Sequence, residues 1–315
     1  MRPPTLWCTL ALAAAPAAAQ SSDSARAAPV RLSGYLQVRE TYQARRGLSA
    51  SINRARLTAG GGFPVGVTWR IQAEFRTGAP GSDGSSVSLK DAVIRFARRG
   101  WGVQAGQFKT PFAREFITSL ADIETADRST VVDSLAPQRD IGLMADYGFR
   151  ELATISVGAF NGEGQNVTSN ADSTVLGVAR VVVRPLAAVS VGANVARYFG
   201  DSTRFGMDAS YEDRRAVARA EWLAQTRDRL DAPEDDGWYA LAGYFVVPTV
   251  QLVGKYERFA REAVGPETRN RAWTAAANIY PWRRAIRVTL EYISRTTGEP
   301  GRRRGTGLAQ VQARF

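Results

Sequence analysis

The side chain through which this sequence could do chemistry is arginine. The chain has 41 basic residues against 30 acidic ones, yet only three are lysine: Lys90, Lys109 and Lys255. A guanidinium stays charged at any physiological pH and grips carboxylate or phosphate oxygens in pairs. Many of these arginines fall at even spacing between apolar residues. In 67–76, Val67, Trp69, Ile71, Ala73 and Phe75 alternate with Thr68, Arg70, Gln72, Glu74 and Arg76. The usual reagents of catalysis are scarce. There is no histidine, and the single cysteine is Cys8. That removes the commonest general base and the common metal ligands, so no metal site and no cofactor is expected. An enzyme would have to work with carboxylates alone, as a paired-acid hydrolase does.

The elements that must position the arginines begin after residue 30. Arg2, the apolar run Leu6 to Ala15 and the small residues Ala17-Ala18-Ala19 predict a cleaved secretory signal over 1–19. Ten apolar residues cannot cross about 30 Å of hydrocarbon, which argues against an anchor. Cys8 falls inside that signal. Residues 20–30 are rich in Ser and Ala and are read as a periplasmic linker. The formal charge of +11 becomes +10 once Arg2 is removed. For an exported chain, that charge points to anionic headgroups or anionic solutes, and no nucleic-acid partner is expected.

From 31 to 315 the chain breaks into about sixteen runs of roughly ten residues with period-2 alternation. Three of them, 87–98, 174–184 and 204–211, alternate poorly. The connections alternate too. Those such as 61–65, 99–100, 148–151 and 185–188 are short; those such as 44–51, 78–86, 162–173 and 260–269 are long and polar. Strands of bilayer-crossing length, joined by short turns on one side and long loops on the other, predict an all-β transmembrane antiparallel barrel in a Gram-negative outer membrane. Nine aromatics near strand ends, Tyr42, Trp101, Tyr147, Trp238, Tyr256, Trp273, Tyr280, Trp282 and Tyr292, fit interfacial girdles. A soluble β-sandwich also alternates, but its loops need not be one-sided.

Parity then assigns a lumen face. It holds Arg39, Arg54, Arg56, Arg70, Arg76, Arg95, Arg180, Arg219 and Arg287, with Glu74, Asp91, Glu221, Glu257 and Glu291. An arginine facing lipid at the midplane costs about 2–4 kcal/mol, which favours this side. The arginines read either as an anion pathway or as a solvated wall paired to the acids. The longest connection, 110–137, follows Lys109 and precedes Arg139. It carries Arg114, Glu115, Asp122, Glu124, Asp127, Arg128 and Asp133. It also carries Phe112, Phe116, Ile117, Leu120 and Ile123, unusual for a solvated loop. These predict a loop 3 that folds into the lumen and narrows it. A surface lid is the alternative. The candidate anion-contacting set is Arg54, Arg56, Arg70, Arg95, Lys109, Arg114, Arg128, Arg139 and Arg180.

At 103–112 the sequence V-Q-A-G-Q-F-K-T-P-F, followed by L-A-P-Q-R-D-I-G at 135–142, resembles the phosphate-selective porin O and P family. V-A-R-V at 178–181 with Pro185, and G-W-Y-A-L-A-G-Y-F at 237–245, are similar to the same family. The terminal Phe315 resembles the signal read by the barrel-assembly machinery. The resemblance implies a sixteen-stranded, usually trimeric porin for passive diffusion of small solutes, with outer-membrane lipid and lipopolysaccharide around it. Phosphate-specific members use a lysine-rich entrance, from which this chain departs. A structural or adhesive barrel without an open pore is the competing reading. Asn166-Val167-Thr168 and the acidic run 231–237 match short motifs too weak to carry a function.

Overall fold

The computed structural model describes residues 29–44, 46–76, 86–170, 173–228, 234–261, 268–282, 284–298 and 302–315. The predicted signal, the linker up to residue 28 and the tips of several long connections, including Asp231, lie outside them.

Sixteen strands follow in order. They are β1 (Arg31–Gln43), β2 (Gly47–Phe63), β3 (Val67–Arg76), β4 (Ser86–Arg98), β5 (Trp101–Lys109), β6 (Arg139–Phe149), β7 (Ala153–Phe160) and β8 (Leu176–Leu186). Then come β9 (Val189–Tyr198), β10 (Ser202–Glu212), β11 (Ala216–Arg227), β12 (Asp235–Val247), β13 (Val250–Arg261), β14 (Thr268–Trp282), β15 (Ile286–Thr297) and β16 (Arg302–Arg314). Each is antiparallel to the next, and β16 returns to β1, so the sheet is a closed barrel. All sixteen predicted runs are strands, with ends shifted by a few residues. Closure leaves no open edge, the condition for a sheet in lipid.

The seam is tied by backbone. Gly34 donates to the Phe315 carbonyl at 2.9 Å, and Phe315 donates back to Gly34 at 3.2 Å. A Cβ on Gly34 would lie 2.3 Å from the Arg56 carbonyl and 2.7 Å from the Phe315 ring, so only glycine fits there.

The outward face is apolar. Leu36, Val38, Ile71, Ile94, Val103, Leu143, Val157, Val191 and Met207 are all exposed along it. Girdle rings pack side by side: Trp238 on Tyr256 at 5.3 Å, Tyr256 on Trp273 at 4.5 Å, and Trp101 on Tyr147 at 4.6 Å. Tyr280 does not join them. It shares the inward parity of Ala276 and Asn278, and its hydroxyl donates to Gln251 Oε1 at 3.4 Å; the register shift that follows, between Ile279 and Trp282, brings Trp282 back to the outer face.

Two of the poorly alternating runs have physical causes. In β4 the pairing steps from Gln72–Asp91 to Ala73–Leu89, so Lys90 is an extra, bulged residue. Lys90 and Asp91 are both buried as a result, and strict alternation fails across the bulge. In β8 the inward residues Leu176 and Val178 are as apolar as the outward Val181 and Val183, because they face a hydrophobic cluster inside the barrel.

Candidate functional site

Loop 3 runs from Thr110 to Gln138, the 29 residues between β5 and β6. It contains two short helices, α1 (Arg114–Ile117) and α2 (Thr130–Leu135). The chain enters α1 through Ala113, whose φ of 57° is uncommon for a residue with a Cβ. The Ala113 N–H donates to Asn194 Oδ1 at 3.3 Å.

Loop 3 supplies the barrel's internal core. Phe112, Phe116, Val131, Val132 and Leu135 are almost fully buried, packed with Leu176, Val178, Leu223, Tyr239, Leu241 and Phe259 of the wall. α2 lies against β11, β12 and β13. Gly237 makes room for it, since a Cβ there would lie 2.8 Å from Val131 Cγ2. Burial of these side chains contributes about 1.5–3 kcal/mol each before ordering costs.

Backbone groups of a loop inside a barrel need partners, and wall side chains provide them. Glu221 accepts from the Arg114 and Glu115 N–H groups at 2.5 and 3.1 Å. Glu291 accepts from Ala126 N–H at 2.9 Å, and Glu257 accepts from the Thr130 hydroxyl at 2.6 Å. In the other direction, Arg287 donates to the Ile123 carbonyl at 2.7 Å, Asn278 to Glu124 at 2.8 Å and Arg204 to Leu135 at 3.0 Å. The loop is thereby fastened to β9–β11, β13–β16, β1 and β2. Charges that parity placed on the lumen face therefore serve in part as scaffold.

Asp127 is the latch at the seam. Arg39 donates to its two oxygens at 2.6 and 3.1 Å, and Arg54 donates to it at 3.3 Å. Burial disfavours the Asp127 carboxylate, but the hydrogen bond and charge of Arg39, with Arg54, outweigh it and hold its pKa below the ordinary aspartate value. A depressed carboxylate pKa adds stability that is present above the unfolded value of about 3.9 and is lost as pH falls through the folded one. Asp127→Asn is therefore expected to cost about 1 kcal/mol at pH 7, the range of a partly exposed ion pair. The difference from wild type should shrink between pH 7 and a pH below the ordinary aspartate range, as read from heat-induced mobility shifts of the folded barrel. An equal difference at both pH values would refute the latch. Glu115 behaves oppositely: burial pushes its carboxyl above the ordinary range, against Lys255 and the Ser129 hydrogen bonds.

The side of the lumen that loop 3 leaves open holds a cavity of about 480 Å³ between Pro111, Ile117 and Ser119 and strands β2–β8. Arg56, Arg70, Lys109, Arg139, Arg180 and Arg184 line it, with Asp91 as the lone carboxylate among its lining residues. Asp91 is shared by Arg139 at 2.8 Å and Arg70 at 3.2 Å. Arg56 pairs with Glu74 at 2.5 Å, and Arg180 with Asp208 at 2.5 Å, both behind the lining. Lys109 donates to the Thr118 and Ile117 carbonyls at 2.8 and 3.2 Å.

Five of the nine sequence-derived candidates thus meet in one cavity. Four do not. Arg95 is held by Asp146 at 2.5 and 2.8 Å, and Arg114 reaches across to Asp208 at 2.8 Å and to Ser190. Arg54 joins the Asp127 latch, and Arg128 donates to the Glu115 and Phe116 carbonyls at 3.1 and 3.2 Å. Arg184, which sequence reasoning left out, belongs to the cavity; it lies on the same face as Arg180 and could have been found by extending that parity through Val182.

A second cavity, of about 930 Å³, opens toward the short-turn end on the other side of loop 3. Arg214, Arg215, Arg219, Arg284, Arg287 and Arg314 line it, together with Asp122, Glu124, Glu212 and Asp213. Its charges are nearly balanced, unlike those of the smaller cavity.

A closed sixteen-stranded barrel with an apolar outer face and a charged lumen spanned by a long loop is a porin-type membrane channel. The sequence matches the family model for phosphate-selective porin O and P over residues 33–203, more than half of the chain. The chain belongs to that family and is an outer-membrane porin. Among curated proteins no relative matches it. Similar solved structures include an anion-selective porin from Comamonas acidovorans (TM-score 0.72, 11% identity, covering 91% of this chain and 100% of that one). The outer membrane channel DcaP of Acinetobacter baumannii gives 0.70 at 14% identity, covering 95% and 100%. The trimer form of OmpT of Vibrio cholerae gives 0.68 at 12% identity, covering 91% and 99%.

Proposed function

We propose that this porin passes small solutes by diffusion and prefers anions, inorganic phosphate being one candidate among several. The observation that carries this reading is the open-side cavity, where six cationic side chains meet one carboxylate. A low-dielectric wall concentrates counter-ions at such a surface. Within it Arg56, Arg70, Arg139 and Arg180 set the field, and Lys109 sits where loop 3 leaves the wall. Arg54, Arg95, Arg114 and Arg128 contribute by holding the loop and the wall in place. The anion selectivity named for the Comamonas porin and the trimer named for the Vibrio protein support an anion-preferring homotrimer here. The same reading includes export by a cleaved 1–19 signal, a periplasmic linker at 20–30, insertion by the barrel-assembly machinery through Phe315, and a surround of lipopolysaccharide. The test is the reversal potential of the purified porin in a planar bilayer under a tenfold KCl gradient. The expected sign is that of chloride permeation; a reversal favouring potassium would sink the reading.

A further inference from the structure

The charges of the open-side cavity say that an anion is favoured there, but not which kind. Guanidinium forks accept phosphate and carboxylate alike. The rest of the lining is more selective. Phe108, Pro111, Ile117, Met144 and Val182 face the same space as the cations. A small hydrated oxyanion gains nothing from these groups, whereas an anion carrying a hydrocarbon or aromatic body can cover them. The volume agrees: about 480 Å³ lies in the range of roughly 300–1,000 Å³ that encloses small organic ligands. The cationic side is also left partly unanswered. Arg180 is 5% exposed, and its Nε and one terminal nitrogen have no hydrogen-bond partner. Among the described residues, neither Lys109 nor Arg184 has a carboxylate partner. The unanswered Arg180 donors are buried, and buried donors are costly unless something accepts from them.

Resting on the anion-preferring reading, we propose that the cavity is a binding site for small organic monoanions, carboxylates with an apolar body, in preference to inorganic phosphate. The carboxylate takes the place beside Arg180, Arg139 and Lys109, and the body lies along Ile117, Val182 and Met144. This arrangement makes the channel a selective route and not only a charged sieve, because residence in the cavity depends on the part of the solute that carries no charge.

The test uses the purified full-length porin in a planar bilayer carrying a chloride current. Sodium benzoate, inorganic phosphate and benzamide are added in turn, and interruptions of the current are titrated. Benzoate is expected to interrupt the current with an apparent affinity at least about tenfold above that of phosphate, equivalent to about 1.4 kcal/mol. Benzamide, which has the ring without the charge, should not compete. The polar replacements I117T and V182T together should shrink the benzoate-to-phosphate ratio about fivefold; because both anions are read on the same channel, the ratio is its own control for folding. Equal interruption by phosphate and benzoate in an anion-preferring channel would overturn this proposal alone. A potassium-preferring channel would overturn the reading beneath it.

Discussion

Replacing Arg70 and Arg184 together by glutamate is expected to invert the ion preference of the pore while leaving the heat resistance of the barrel unchanged. Both residues line the open-side cavity, and neither fastens loop 3. The Arg70 side chain is 49% exposed; its partner Asp91 keeps Arg139 at 2.8 Å when Arg70 is removed. Arg184 is exposed at the short-turn end of β8. Counting Glu74 and Asp208, which pair with Arg56 and Arg180 behind the lining, the double change takes the site from six cations and three carboxylates to four cations and five carboxylates. One unit charge about 8 Å from a permeating ion is worth about 2 kcal/mol at an effective dielectric of 20, less what salt screens. A four-unit change therefore exceeds any preference the remaining groups can maintain. The chloride-to-potassium permeability ratio, from reversal potentials in dilute KCl, should fall at least about tenfold and cross unity. An unchanged ratio would mean that ions do not pass through this cavity.

The second large effect is structural. Phe116 is 1% exposed and stands between two cations, with Lys109 Nζ 5.6 Å and the Arg128 guanidinium 5.2 Å from its ring centre. It packs with Phe112, Leu135 and the wall residues Leu223 and Tyr239 in one cluster. Phe116→Ala is expected to cost about 3–5 kcal/mol, from lost transfer energy and the cavity left behind, with up to about 2 kcal/mol more for the partly desolvated cation contacts. The strand ladder does not depend on this ring, so the barrel should persist while loop 3 loosens. The readout is single-channel conductance, expected to rise about twofold with added current noise. A channel with wild-type conductance and noise would show that loop 3 does not set the bore.

Fold and site were legible in the sequence to different degrees. All sixteen strands can be read because lipid and lumen enforce opposite chemistry on alternate residues, and 67–76 shows that rule without exception. It fails where something other than water fills the lumen side. Leu176 and Val178 are apolar because loop 3 covers them, and Lys90 breaks the pattern by bulging. The cationic surplus of the lumen could likewise be read, but not which arginines are free. Arg139 pairs with Asp91 across 48 positions, and Arg114 with Asp208 across 94. Glu221, Glu257 and Glu291 read as offsetting charges, yet they accept from N–H groups of a loop more than 100 positions away, Glu257 from the Thr130 N–H at 3.3 Å as well as from its hydroxyl. Backbone partners leave no trace in composition or spacing.

The internal cluster also bears on what keeps the barrel open as a ring. The inner wall from β8 to β14 carries Leu176, Val178, Ala196, Val217, Leu223, Tyr239, Leu241, Val253, Phe259 and Ala276. Left uncovered, that surface would face water, and the hydrophobic effect would favour collapse of the ring or association with another chain. Loop 3 covers it from within, so the apolar half of the wall and the loop stabilise each other. Its hydrogen bonds continue round to β15 and β16. The segment inside the lumen is thus also the inner lining that keeps the second half of the wall from water, and the closed β1–β16 seam encloses it.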